Sequence, residues 1–172
     1  MIEYQDVNIF EAKIEVLVHA CNPKGIWGGL AGQVKKNFPE AYDKDNSLKP
    51  EEKKLGTCSV VKLKNGHSNI LAVINMYTQP NISNEFRMTN YEAVARGFEW
   101  INSYIKNRSL VLGIPYCFAS DKGGASWNVI ESIIYDIFEG SDLNVIICKL
   151  PGFTPNRNAS LPFNFPKQHE QR

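Results

Sequence analysis

His19-Ala20-Cys21-Asn22-Pro23-Lys24-Gly25-Ile26-Trp27-Gly28-Gly29-Leu30-Ala31 is the stretch whose reading decides the fold. Before it runs an apolar segment, Ile14, Val16, Leu17 and Val18, of the kind a strand covered on both faces requires. After it, Val34 to Tyr42 reads as an amphipathic helix. A polar, glycine-rich loop therefore leaves a buried strand and opens a helix. Glycines let backbone approach a ligand closely, and the first N–H groups of a helix lack partners. The stretch is thus either an ordinary strand-to-helix turn or a seat for an anion. Two nucleotide motifs are absent. Lys24 precedes the glycine pair, so there is no G-x-x-x-x-G-K-[ST], and the spacing is not G-x-G-x-x-G.

Working outward, strands and helices alternate. Ile2 to Tyr4 reads as a first strand and Ile14 to Ala20 as a second, followed by a helix from Leu30 to Phe38. Asp43 to Lys54 mixes charges around Pro50 and reads as a surface loop, with one helical turn at Pro50-Glu51-Glu52. Thr57 to Leu63 and Ile70 to Asn75 read as a hairpin around Asn65-Gly66. Gln79 to Arg87 is an irregular loop. Thr89 with Glu92 suggests a capping box for a helix that reaches Lys106. Leu110 to Pro115 is a strand, Tyr116 to Gly124 a second glycine-containing loop, Ser126 to Glu139 a helix, and Leu143 to Leu150 a last strand. Residues 1–150 form one domain on this reading. Residues 151–172, rich in Pro, Asn and polar residues, form a tail that is either disordered or docked through Phe153, Phe163 or Phe165.

This alternation predicts a three-layer α/β/α sandwich with a mixed, largely parallel central sheet. Ligands in such folds lie outside the carboxyl ends of strands, and both glycine loops leave strand ends of that kind. Two distant stretches are therefore expected at one site.

The totals fit one globular domain. Of 172 residues, 43% are hydrophobic and 22% charged, and the net charge is +1. A chain so nearly neutral argues against non-specific nucleic-acid binding through a broad basic face, and leaves local basic clusters open. No apolar run reaches membrane-spanning length. Cys21, Cys58, Cys117 and Cys148 lie on four separate segments without C-x-x-C spacing, which argues against a metal site and for a reducing, intracellular (cytoplasmic) location. The oligomeric state is not legible.

The first loop resembles that of the macro domains, modules that bind ADP-ribose, whose pattern is roughly V-H-x-x-N-x-x-G-x-W-G-x-G-I-A. Its form here, H-x-C-N-x-x-G-x-W-G-G, is closest to the branch of ADP-ribose 1″-phosphate phosphatases and terminal ADP-ribose glycohydrolases. The second loop, Pro115 to Trp127, is similar to the family's P-Y-x-I-G-C-G-L-A-G-G-D-W without a gap. It departs at Ala119, Ser120 and Asp121, which stand for Gly-Cys-Gly. The resemblance extends from Met1 to about Leu150.

It implies a phosphatase acting on ADP-ribose 1″-phosphate, with His19 at the position of the family's functional histidine and no cofactor or metal; Asp121, which departs from the pattern, either joins it as a catalytic group, binds a hydroxyl or repels phosphate. It implies ligand contacts from Asn8 and Ile9 at the adenine, Asn22 at the distal ribose, and Lys24, Gly25, Trp27, Gly28, Gly29 and Leu30 along the first loop. From the second loop it implies Tyr116, Cys117, Ser120, Lys122, Gly123 and Gly124. The alternatives are a non-catalytic module that sequesters an ADP-ribose-derived nucleotide and, ranked last, a hydrolase acting on ADP-ribosylated macromolecules. The glutamate-deacylating branch uses a lysine after the central strand and an aspartate in the second loop. Those positions fall near Met76 or Tyr77 and near Gly123, and neither residue type is there.

Overall fold

The computed structural model describes residues 1–64 and 69–155. Among these residues six strands form one sheet: Ile2–Asp6 (β1), Val16–Cys21 (β2), Cys58–Lys62 (β3), Ala72–Tyr77 (β4), Val111–Pro115 (β5) and Asn144–Lys149 (β6). Their order is β1-β6-β5-β2-β4-β3, and every neighbouring pair is parallel except β3 with β4. Four α-helices among the described residues cover the sheet: Gly29–Asn37 (α1), Pro39–Ser47 (α2), Tyr91–Ile105 (α3) and Trp127–Phe138 (α4). The mixed, largely parallel sandwich expected from the alternation is the architecture observed.

The two-residue period of the strands divides the core. Val16, Val18, Ile74, Met76, Leu112 and Ile114 pack with Val94, Phe98, Ile101, Ile130, Ile134 and Phe138, on the face covered by α3 and α4. Leu17, Val73, Ile146 and Cys148 pack with Val34, Phe38 and Ala41, on the face covered by α1 and α2. Burying a side chain of this size contributes about 1.5–3 kcal/mol, so both faces hold the sheet strongly. β2 is apolar almost throughout because it lies inside the sheet with both faces covered.

Three expectations need correction. Asp43 to Lys54 is not one surface loop, since α2 runs through Ser47 and only Pro50–Glu52 forms the short 3-10 turn. Pro39 starts the helix at a position that suits its fixed φ. Ala41 and Asp45, four apart, both face inward, and Asp45 is buried because it has partners there. The cap of α3 is Asn90, whose Oδ1 accepts from the Ala93 N–H at 2.9 Å, rather than Thr89. Thr89 is turned inward, and its hydroxyl donates to the Ala119 carbonyl at 2.9 Å. Finally, β4 continues to Tyr77, two residues beyond the expected end. The hairpin pairing of β3 and β4 is as expected, while the Asn65-Gly66 turn and residues 156–172 lie outside the described residues.

Candidate functional site

A cleft of about 890 Å³ runs along the carboxyl edge of the sheet. Its wall follows the strand order. Asn8, Ile9 and Phe10 follow β1; Cys148, Leu150 and Phe153 come at the end of β6; Tyr116 to Ala119 and Asp121 to Gly123 follow β5. Asn22, Ile26 and Gly28 to Ala31 follow β2, and Gln79 and Ile82 follow β4. The two glycine loops face each other across it.

The first loop is held by Asn22. Its Nδ2 donates to the Ile26 carbonyl at 2.9 Å, and its Oδ1 accepts from the Ile26 N–H at 3.2 Å. This double clamp folds the loop back and presents Gly28, Gly29 and Leu30 to the cleft. Gly29 has φ +53°, a conformation only glycine adopts cheaply, and it begins α1. The first turn of α1 carries no acidic residue and its cap makes no side-chain hydrogen bond. Its backbone N–H groups therefore form a positive end that favours an anion.

The second loop is stitched from behind. The Gly123 carbonyl accepts from Met88 N–H at 2.9 Å and from Thr89 N–H at 3.0 Å. Cys117 and Ala119 sit at φ +60° and +57°. Such backbone is strained for residues with a Cβ and recurs where structure serves a site. Asp121, although it stands where the resemblance has glycine, is not in that region. Its carboxylate turns toward α1: a Cβ placed on Gly29 would lie 3.7 Å from Asp121 Oδ2. The acid from one loop thus faces the positive helix end presented by the other. Gly123 leaves no room for a side chain, because a Cβ there would meet Thr89 Oγ1 at 2.1 Å and Gln79 Oε1 at 2.4 Å.

At the β1 end, Asn8 Oδ1 accepts from the Phe10 N–H at 3.2 Å and shapes the turn. The Tyr116 ring packs edge-on to Trp127 at 5.0 Å, and to Tyr4 and Phe153 at 6.3 Å each. Burial, first among several causes, raises the Tyr116 hydroxyl above its ordinary pKa, and it raises the half-buried Cys117 thiol as well.

His19 is elsewhere. It is inside β2, in register with Asn75 of β4, and is 1% exposed. Asn75 Nδ2 donates to the Ala41 carbonyl at 3.0 Å and to Ser59 Oγ at 3.1 Å, so its Oδ1 faces His19 Nε2 at 2.7 Å as an acceptor. That arrangement assigns the proton of a neutral imidazole to Nε2. Burial pushes His19 down to about 4, against smaller upward effects from Asn75 and Asp45. Trp27 stands edge-on to His19 at 5.1 Å and donates from Nε1 to Asp45 Oδ2 at 3.1 Å. Asp45 also accepts from the Tyr77 hydroxyl at 2.6 Å and pairs with Lys53 at 3.1 Å.

Of the residues singled out from sequence, Asn8, Ile9, Asn22, Gly28, Gly29, Leu30, Tyr116, Cys117, Asp121, Lys122 and Gly123 share this wall. His19, Lys24, Gly25, Trp27, Ser120 and Gly124 are not on it. Ser120 turns its hydroxyl back to the Phe118 carbonyl at 3.2 Å. Sequence reasoning missed Phe10, Gln79, Ile82, Lys36 and Phe153. Gln79 was reachable, because it follows directly on a parallel strand's carboxyl end.

No protein-family model matches the sequence, and no curated protein is similar enough to match it. Solved structures do match. The macrodomain of Mycobacterium tuberculosis DarG aligns over 88% of this chain and 98% of its own, with TM-score 0.74 and 22% identity. Thermosipho africanus DarTG in complex with ADP-ribose aligns over 89% of this chain and 42% of its own, with TM-score 0.75 and 18% identity. The Oceanobacillus iheyensis macrodomain with ADP aligns over 87% of this chain and 82% of its own, with TM-score 0.67 and 16% identity. With six strands in this order, helices on both faces and these structural neighbours, the chain has the macrodomain fold.

Proposed function

We propose that the cleft binds ADP-ribose or a close derivative. The observation that carries this reading is the meeting of the two glycine loops over the amino end of α1, which offers unpartnered N–H groups to a diphosphate. The adenine lies toward Asn8 and Ile9, and the distal ribose toward Asn22, whose clamp on Ile26 leaves one N–H and part of its carbonyl for a hydroxyl. Two structural neighbours, DarTG from Thermosipho africanus and the Oceanobacillus iheyensis macrodomain, were solved with ADP-ribose and with ADP. The four free cysteines support a reducing, intracellular location.

A second reading is hydrolysis of ADP-ribose 1″-phosphate. Asp121 favours it, being a carboxylate on the cleft wall that faces the amino end of α1. General-base work falls to Asp121 in that case, because His19 is buried and is not on the cleft wall. Release of ADP-ribose from macromolecules ranks below both, since Met76 and Tyr77 are fully buried and Gly123 admits no side chain.

Calorimetry with ADP-ribose and with its 1″-phosphate, followed by analysis of the recovered ligand, tests these readings. Binding of both with intact recovery supports a binding module. Phosphate release that Asp121→Ala abolishes supports the phosphatase. No heat with either ligand contradicts both.

A further inference from the structure

Gln79 is the side chain at the β4 end of the cleft with polar capacity left to use. It is 5% exposed yet lies on the wall. Its Oε1 faces the Thr89 hydroxyl at 3.4 Å, as a long second acceptor beside the Ala119 carbonyl. No acceptor among the described residues takes its two amide N–H groups. The amide nitrogen is not among the buried polar atoms left without a partner, so water reaches it and a ligand oxygen can take that water's place.

Its position in the cleft follows from topology. The wall runs from β1 through β6, β5 and β2 to β4, so a ligand with its base at Asn8 and its diphosphate at α1 brings its far end to Gln79. The surroundings preserve this placement. The Gly123 carbonyl ties down Met88 and Thr89, and Gly123 itself leaves the space that Gln79 fills. A side chain at position 123 would displace the amide.

We infer that the Gln79 amide is a specificity determinant of the cleft, donating to oxygen acceptors on the terminal ribose or its substituent. This rests on the proposed ADP-ribose reading. A glutamine carries neither a nucleophilic amine nor a titratable proton, so Gln79 itself recognises and does not react. Discrimination is set by pairing: a ligand that lacks the terminal group leaves the donors to water and gains nothing from them.

The test compares affinities for ADP-ribose and for ADP, which lacks the terminal ribose. The parent protein binds ADP-ribose more tightly than ADP. Gln79→Leu lowers the ADP-ribose to ADP affinity ratio tenfold or more, with ADP affinity kept within about threefold. Gln79→Glu retains size and packing but replaces the donors with a carboxylate, and lowers the ratio at least as much. It stands as the readout should the leucine variant fail to fold. An unchanged ratio, or equal weakening of both ligands, overturns the inference while leaving the cleft reading in place. A parent that binds neither ligand overturns the cleft reading and this inference with it.

Discussion

The indole N–H of Trp27 ends on the buried carboxylate of Asp45, 3.1 Å away, and so ties the first glycine loop to α2. Asp45 has no exposed side-chain surface and also holds Lys53 and the Tyr77 hydroxyl, so a single carboxylate joins the loop, α2 and β4. The aromatic residue of the glycine loop is thereby a strut of the scaffold and not part of the cleft wall.

Asp45→Ala leaves Lys53 and the Tyr77 hydroxyl buried without their partner. The expected loss is about 3–5 kcal/mol, the usual result of removing one member of a buried pair. Urea unfolding followed by far-UV circular dichroism measures it. Replacing both members, Asp45→Leu with Lys53→Met, should recover much of that loss. A single-variant loss under about 1 kcal/mol would contradict the role assigned to Asp45.

His19 makes stability depend on pH. It titrates near 6.5 when unfolded and near 4 when folded, so the unfolded chain takes up its proton first as pH falls. The stability due to neutral His19 is complete above about pH 6.5 and declines by about 3 kcal/mol on the way to pH 4. His19→Gln should flatten that part of the profile. An equally steep decline in the variant would show that other groups cause it.

Ala119 occupies left-handed backbone at φ +57°, where the family resemblance has glycine. Ala119→Gly relieves the Cβ strain of about 1–2 kcal/mol and adds unfolded-state entropy that offsets part of it. The net expectation is a gain of up to about 1 kcal/mol in thermal or urea unfolding. Destabilisation would mean that the loop is not strained.

Gly28 and Gly123 separate binding from folding. A Cβ on Gly28 meets nothing within 4 Å of protein and would project into the space of the cleft. Gly28→Ala should cost at most about 1 kcal/mol of stability, as expected of a capping position, and weaken ADP-ribose binding about tenfold. Gly123→Ala overpacks Thr89, Ala119 and Gln79 and should cost about 1–3 kcal/mol as well as binding. Differential scanning fluorimetry and calorimetry on the same samples compare the two. Equal effects on stability would refute the distinction.

The sequence shows the sheet and the cleft-facing loops because those signals are local. The apolar run at Val16 to Val18, the glycine pair after it and the one-sided helices α3 and α4 each declare themselves within one window. The length of α2 does not, because Asp45 looks solvated until Lys53, Tyr77 and Trp27 arrive from other elements. His19 looked like a site residue because its motif sits beside the loop. Its register with Asn75 shows that the strand extends past it, and a side chain within a strand points to a face of the sheet. Gln79 has no motif, and only the pairing of β4 beside β2 brings it to the cleft.

A structure determined with ADP-ribose tests the central claim most directly. The account predicts one ligand lying along the strand ends, its base near Asn8 and Ile9, its diphosphate between Gly28–Leu30 and Asp121–Gly123, and its terminal ribose beside Gln79. ADP-ribose bound outside this cleft, or a cleft left empty at saturating ligand, would contradict it.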